Sequence, residues 1–228
     1  MTLKLNSASS RAYWRELMAN AVALVSDAHL LLSNGSAGRA RSLLILAQEE
    51  LARATALYST AMAAWEGRKA TVELATRPDP ADQTGARTKP HLTSSKNHQD
   101  KIAHSDHYGR YLGPFWGDYA MPIPGRDPVQ VDREKQAGFY VAAAPGPGGK
   151  FASPRDIDGT PLAAELERVA GVVEMALIRD HTRRQELGTE ADADSVQDLH
   201  LAVLPYAHPE LWAEHVADME ARRSDDEA

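Results

Sequence analysis

Apolar residues recur at steps of three and four along two long stretches near the start of the chain. Between residues 11 and 33, Trp14, Leu17, Ala21, Leu24, Ala28 and Leu31 fall on one face of a helix. Ser9 or Ser10 is placed to cap its start. Asn34-Gly35 ends it, because glycine accepts the left-handed backbone that a helix C-terminus often needs. From Arg39 to Trp65, the residues Ala40, Leu44, Ala47, Leu51, Ala54, Tyr58, Ala61 and Trp65 alternate at four and three, the most regular run in the chain. The tight turn Gly35 to Gly38 joins the two stretches, so the pattern predicts a long antiparallel helical hairpin over 10–66. Alanine on the facing stripes lets the two axes approach closely.

The periodicity then breaks. Residues 76–97 carry Pro78, Pro80, Gly85 and Pro90 among Ser, Thr and Asn and read as a loop. A short helix is predicted from Ser95 to Tyr111, and 113–132 reads as an ordered loop. Residues 136–144, a glycine-proline turn at 145–149 and residues 150–154 read as a small β-hairpin, because Phe139, Tyr140 and Val141 favour strand. A hairpin alone is marginal in water, so it must lean on the helices. Segment 113–160 is then an insertion. Leu162, Leu166, Val169, Val173 and Leu177 line one face of a helix from Pro161 to Leu187. A last helix runs from Pro209, a residue suited to a first helical turn, to Arg222. These make 161–222 the C-terminal helices, with 223–228 a solvated acidic tail. The fold class is mainly α: one domain over 1–228, a helical bundle built on the long antiparallel hairpin, with a small β-hairpin insertion.

Composition narrows the function classes. A chain of 228 residues, 43% hydrophobic and 25% charged, suits one globular core. The absence of cysteine excludes disulfides, thiolate zinc sites and cysteine nucleophiles, and fits a reducing cytoplasm, the expected location. Met1 to Ser10 has no leader-like apolar run, and the longest apolar run, Leu43 to Ala47, is too short to span a bilayer, so no membrane partner is expected. A net charge of −7 removes any global basic field for nucleic acid and leaves only local patches.

The candidate chemistry is concentrated in a few places. His98, Lys101, His104 and His107 are spaced by three, so on a helix successive members touch. Such a group binds a phosphodiester and supplies an acid or base near neutral pH; the competing reading is a solvated polar face. Lys96 extends the same anion-binding set. Two His at i,i+3 with Asp106 nearby could share a metal, but no second ligand cluster accompanies them, and no metal or cofactor is expected. Glu50 lies on the seam of the second helix beside Leu43, Ala47 and Ala54. A carboxylate there needs a partner, and it reads either as orienting a His or Arg in an inter-helix cleft or as a structural ion pair. Glu49 reads as a structural ion pair, for example with Arg53 at i,i+4. Arg39 and Arg41, beside the glycine turn, are anion-binding candidates whose default is solvent exposure. Trp116, Tyr119, Phe139 and Tyr140 read as anchors that pin the loop to the helices rather than as a partner surface.

Several segments, in order, resemble the AbiV-type abortive-infection family. They are Ala23 to Leu32 with its Asp27-Ala28 and leucine run, the Gly35 turn, Arg39 to Leu43, and Leu46 to Ala54 with Glu49-Glu50-Leu51 and Arg53. Asn97 to Ile102 resembles the family's later His/Lys segment, and Arg133 to Val141 with Phe151 to Pro154 its hairpin segment. The resemblance covers roughly residues 10 to 160 and implies a HEPN-like helical domain, a group that includes ribonucleases of defence and toxin systems and that commonly forms homodimers. The nuclease signature of that group is an Arg and a His separated by four to six residues. No pair here meets it: Arg87 and His91 have three residues between them, and Lys101 and His107 have five but with Lys in place of Arg. Two functions therefore stand side by side. One is an anti-phage effector acting on RNA or translation, with His98, Lys101 and His104 in a cleft and Glu50 orienting them. The other is a non-catalytic module that binds a phage or host protein through its helices and the 113–160 segment.

Overall fold

The computed structural model describes residues 2–75, 98, 101–102, 127–144, 146–188 and 195–226. The loop expected at 76–97, most of the short helix expected at 95–111, and the expectations for Lys96, His104, His107, Trp116 and Tyr119 lie outside the described residues.

Strand β1 (Thr2–Asn6) leads straight into helix α1 (Ser7–Ser33). The cap is Asn6 rather than Ser9 or Ser10: its side-chain oxygen accepts the Ser9 backbone N–H at 2.7 Å, and this starts the helix one turn earlier than the apolar pattern shows. Gly35, at φ +74°, makes the left-handed turn that ends α1, and helix α2 (Ala37–Trp65) runs back along it. Strand β2 (Thr71–Ala75) then pairs antiparallel with β1, from Thr2 opposite Ala75 to Asn6 opposite Thr71. The sheet therefore ties together the two ends of the helical hairpin. Val72 and Leu74 point into the core, while Lys4 and Glu73 pair at 2.9 Å on the outer face.

The molecule is mainly α with one small antiparallel sheet, as the pattern predicts, but the sheet is made of other residues. The segment read as the first strand of a β-hairpin is the end of helix α3 (Pro128–Phe139). Asp127 caps that helix through the Val129 N–H at 3.1 Å, and Pro128 sits in its first turn. The helix formers Arg133 to Ala137 carry it to Phe139, so capping and propensity outweigh the strand preference of Phe139-Tyr140-Val141. Residues 128–132, read as loop, are its first turns. Beyond it, the Ala142 N–H donates to the Ala152 carbonyl at 2.9 Å and the Gly146 N–H to the Lys150 carbonyl at 2.8 Å. The two limbs thus meet at two points without forming strands, across a tip where Gly148 and Gly149 both take φ +77°. Helix α4 (Leu162–Glu186) follows as expected. Helix α5 (Gln197–Ala207) has no counterpart in the sequence reading, and helix α6 (Pro209–Asp226) continues past Arg222 into the acidic residues read as a tail.

The main core lies between α1, α2 and α4, built from Trp14, Met18, Val25, Leu44, Leu51, Leu57, Val173 and Leu177 among others; Val203 and Ala207 join it from α5. A second, small core of Ile45, Ile102 and Val131 sits between α2, the helical residues 101–102 and α3. Helix α3 crosses the start of α2 almost backbone to backbone. A Cβ on Gly138 would lie 2.0 Å from Ser42 Oγ and 2.1 Å from the Gly38 carbonyl oxygen. Ser42 Oγ donates to the Lys135 carbonyl at 2.8 Å across that crossing. No helix among the described residues is long and apolar enough to cross a membrane.

Candidate functional site

Three elements converge on one carboxylate. Glu49, on α2, is 2% exposed and needs compensation for its lost hydration. Lys135, delivered from α3 by the glycine crossing, donates from Nζ to Glu49 Oε1 at 2.6 Å. His98 Nδ1 lies 2.6 Å from Glu49 Oε2, and Lys101 Nζ lies 3.6 Å from the same oxygen. Lys135 Nζ also contacts Asp132 Oδ1 at 2.9 Å, one turn back along α3. Two carboxylates and two ammonium groups balance, with an imidazole at their edge.

The small apolar core forms the floor of this site. Ile45 lies one turn before Glu49, Val131 one turn before Lys135, and Ile102 beside Lys101. All three isoleucine and valine side chains are fully buried, so the charges above them are shielded from water on that side. Lys101 and Lys135 are themselves buried, whereas the His98 side chain is 46% exposed. With Nδ1 held by Glu49, Nε2 is the ring nitrogen left for a ligand. A buried carboxylate on one nitrogen fixes the orientation of the ring.

Glu49, His98 and Asp132 offer ligand atoms that all lie within 4.8 Å of one another, the spacing of a metal site. The surrounding charges do not fit a dication. The Lys135 ammonium already bridges both carboxylates, and the Lys101 ammonium stands beside it, so a divalent ion would have to displace one cation and approach another.

The structure exchanges the roles read for the paired glutamates. Glu49 does not pair with Arg53; the partner of Arg53 is Glu50, at 2.7 and 3.0 Å, and Arg53 also donates to the Tyr13 hydroxyl at 2.6 Å. Burial opposes the Arg53 charge, but Glu50 and Tyr13 more than compensate and hold its pKa above the ordinary value. Glu50 thus holds Arg53, which ties α2 to α1 through Tyr13, and among the described residues no hydrogen bond or ion pair joins it to the His98 group. The helix turns by 100° per residue, and a seam drawn from alanine and leucine alone cannot tell which of two adjacent glutamates α3 covers. Lys135 and Asp132 were missed for a plainer reason. Their i,i+3 spacing is a site signal only on a helix, and their segment reads as loop and strand. Arg39 is exposed and donates to Ser36 Oγ at 3.3 Å, while Arg41 faces Asp158; neither belongs to the Glu49 group. Phe139 and Tyr140, read as buried anchors, are 38% and 66% exposed.

A second titratable group lies away from this site. Glu174 of α4 accepts from His200 Nε2 at 3.1 Å and from His208 Nε2 at 2.7 Å, which pins α5 and its C-terminal cap to α4.

A family model described as HEPN_AbiV: AbiV matches residues 9–174, well over half of the chain. The match includes α1 from residue 9 onward, all of α2 and α3, and every residue of the Glu49 group. No curated protein and no solved structure matches.

Proposed function

The chain belongs to the AbiV-type HEPN-like family, related to abortive infection, and from that premise we propose that it is an anti-phage effector that cleaves RNA at the Glu49 group. The observation that carries this reading is the buried Glu49 carboxylate on His98 Nδ1 at 2.6 Å, with two lysines beside it. Attack of a ribose 2′-hydroxyl on the adjacent phosphorus forms the O2′–P bond and breaks the P–O5′ bond. One proton leaves O2′ and one arrives at O5′. His98 Nε2 takes the proton from O2′ and returns it to O5′, Glu49 steadies the imidazolium between the two transfers, and Lys101 and Lys135 stand beside the phosphorane as cations. Lysine here takes the place of the arginine in the usual signature, as a point charge rather than a planar fork.

His104, His107 and Lys96 extend the phosphate-binding side of the same proposal, and homodimerisation across the helical hairpin belongs to it. Glu50 drops out as the orienting carboxylate because Arg53, which also donates to the Tyr13 hydroxyl, holds it elsewhere. Purified protein should cut single-stranded RNA to fragments ending in 2′,3′-cyclic phosphate. His98→Ala should abolish the cut, and Glu49→Gln should slow it by roughly 10²-fold or more. Infected cells carrying His98→Ala should lose protection. Protection equal to wild type in that variant would overturn the catalytic reading and leave the non-catalytic binding module.

A further inference from the structure

We propose that the loop between α3 and Pro154 is a stacking platform for the bases of a single-stranded nucleic acid, with Tyr140 and Phe151 as its two surfaces. This rests on the reading of the Glu49 group as an RNA site and names how the strand is held there.

Four observations carry it. First, the loop presents large apolar side chains to solvent: Tyr140 is 66% exposed and Phe151 53%, with Phe139 at 38%. Phe139 meets Tyr140 edge-on, with ring centroids 6.4 Å apart, and the exposed ring surface that remains costs hydrophobic free energy unless something covers it. Second, the loop holds its shape. The limbs are joined by the two backbone hydrogen bonds at 142–152 and 146–150, and both ends are fixed on α2. Gly138 packs against Ser42 and Gly38, and Pro154 packs against Gly38, so the rings stand on a rigid base. Third, the surroundings are locally basic in a chain of net charge −7. No acid occurs from Lys135 to Arg155, while Lys150 and Arg155 are exposed. Arg39, also exposed, lies between the two α2 positions that anchor the loop. Carboxylates flank this stretch at Glu134, Asp156 and Asp158; Asp156 accepts the Ser153 N–H and Asp158 accepts from Thr160. Fourth, the loop continues the site. Phe139 lies one helical turn beyond Lys135 on α3, so the loop begins on the helix that delivers Lys135 to Glu49.

Exposed rings beside cations, with no acid between them, match a polyanion whose repeating units carry π-faces. An apolar peptide would leave the cations without a role. A second copy of this chain would bring its own Lys150 and Arg155 against these.

The test uses the full chain and a fluorescein-labelled, ten-nucleotide 2′-O-methyl oligoadenylate, which cannot undergo internal cleavage, so binding is read independently of catalysis. Wild type should raise its anisotropy. Tyr140→Ala and Phe151→Ala should each weaken binding on the order of tenfold, since one stacked base is worth about that factor. Tyr140→Phe should keep the affinity, and Lys150→Ala should reduce the slope of log affinity against log salt by about one. A matched abasic strand should bind wild type as weakly as the double alanine variant binds the base-bearing strand. The proposal is overturned if wild type does not bind the probe, or if the double alanine variant binds it as wild type does. It is equally overturned if that variant keeps RNA affinity but loses self-association in sedimentation, which would assign the rings to a second copy. Binding that follows these variants in a protein that cuts no RNA sustains the platform and removes the catalytic reading alone.

Discussion

At the scale of single residues, two of the buried carboxylates, Glu49 and Glu174, are paired with histidine. Glu49 is at the centre of the candidate site, and Glu174 holds the C-terminal helices in place. Burial pushes the Glu174 carboxyl up, but hydrogen bonds from His200 and His208 outweigh it and hold the pKa below the ordinary value of 4.5. The sign of the linkage follows from that direction. A carboxyl depressed in the folded state contributes stability that is present above its unfolded pKa and is lost as pH falls through its folded pKa. Denaturant unfolding measured from pH 7 down to pH 3 should therefore show a loss of stability below about pH 4.5 that Glu174→Gln removes. The same variant should be less stable at pH 7 by roughly 1–3 kcal/mol, because two histidines lose a charged acceptor. Identical acid limbs in wild type and variant would exclude this carboxyl as their source. Tyr58 shows the reverse balance. Burial first, then Asp180, pushes its hydroxyl up to about 12 despite the Arg183 N–H donated to it at 2.8 Å.

At the scale of elements, the contact between α2 and α3 decides whether there is a site at all. Only a residue without a Cβ fits where position 138 meets the Gly38 carbonyl at 2.1 Å. Gly138→Ala should force α3 off α2, cost roughly 1–3 kcal/mol, and withdraw Lys135 from Glu49. Combining it with Ser42→Gly should restore little, since the other clash is with backbone. Thermal melts of the single and double variants check this, and full rescue by Ser42→Gly would show that the side-chain clash alone matters. The elements themselves were unequally legible. Helices α1, α2 and α4 each bury a long stripe against one another, and such stripes appear in sequence as regular three-and-four spacing. Helix α3 is short and buries only Val131, Lys135 and Gly138, two of which carry no apolar signal, so its periodicity is invisible. Helix α5 carries Pro205 within it and buries only Val203 and Ala207, which hides it in the same way.

At the scale of the whole molecule, a buried ion pair locks the start of α1 to the end of α4. The Arg11 guanidinium meets both oxygens of Asp180, at 2.6 and 2.5 Å, with Asp180 fully buried. It also lies over the Trp14 and Trp65 rings, 4.5 and 5.3 Å from their centroids. Removing one member leaves the other charge in the interior, so Asp180→Asn should cost about 3–5 kcal/mol. The Arg11→Met, Asp180→Leu double variant should cost less than that single change, because the Arg11 charge is removed with its partner, while Arg183, 3.6 Å from Asp180, still donates to the Tyr58 hydroxyl. Chemical denaturation of the two variants measures the difference, and equal losses would mean that the pair acts through packing rather than charge.

The sequence by itself determined the mainly α class, the long hairpin with its glycine turn, the helix that packs across it, and the family, because each rests on local periodicity or on short segments in order. It also placed His98 and Lys101 together, since three residues along a helix bring side chains into contact. Only the tertiary structure decided that Glu49 rather than Glu50 meets them, that Lys135 and Asp132 complete the group, and that the sheet joins residues 2–6 to 71–75. Those outcomes depend on which face of α2 is covered by α3 and on strand partners more than sixty residues apart. Spacing along a chain carries no record of such contacts; packing of one element on another creates them.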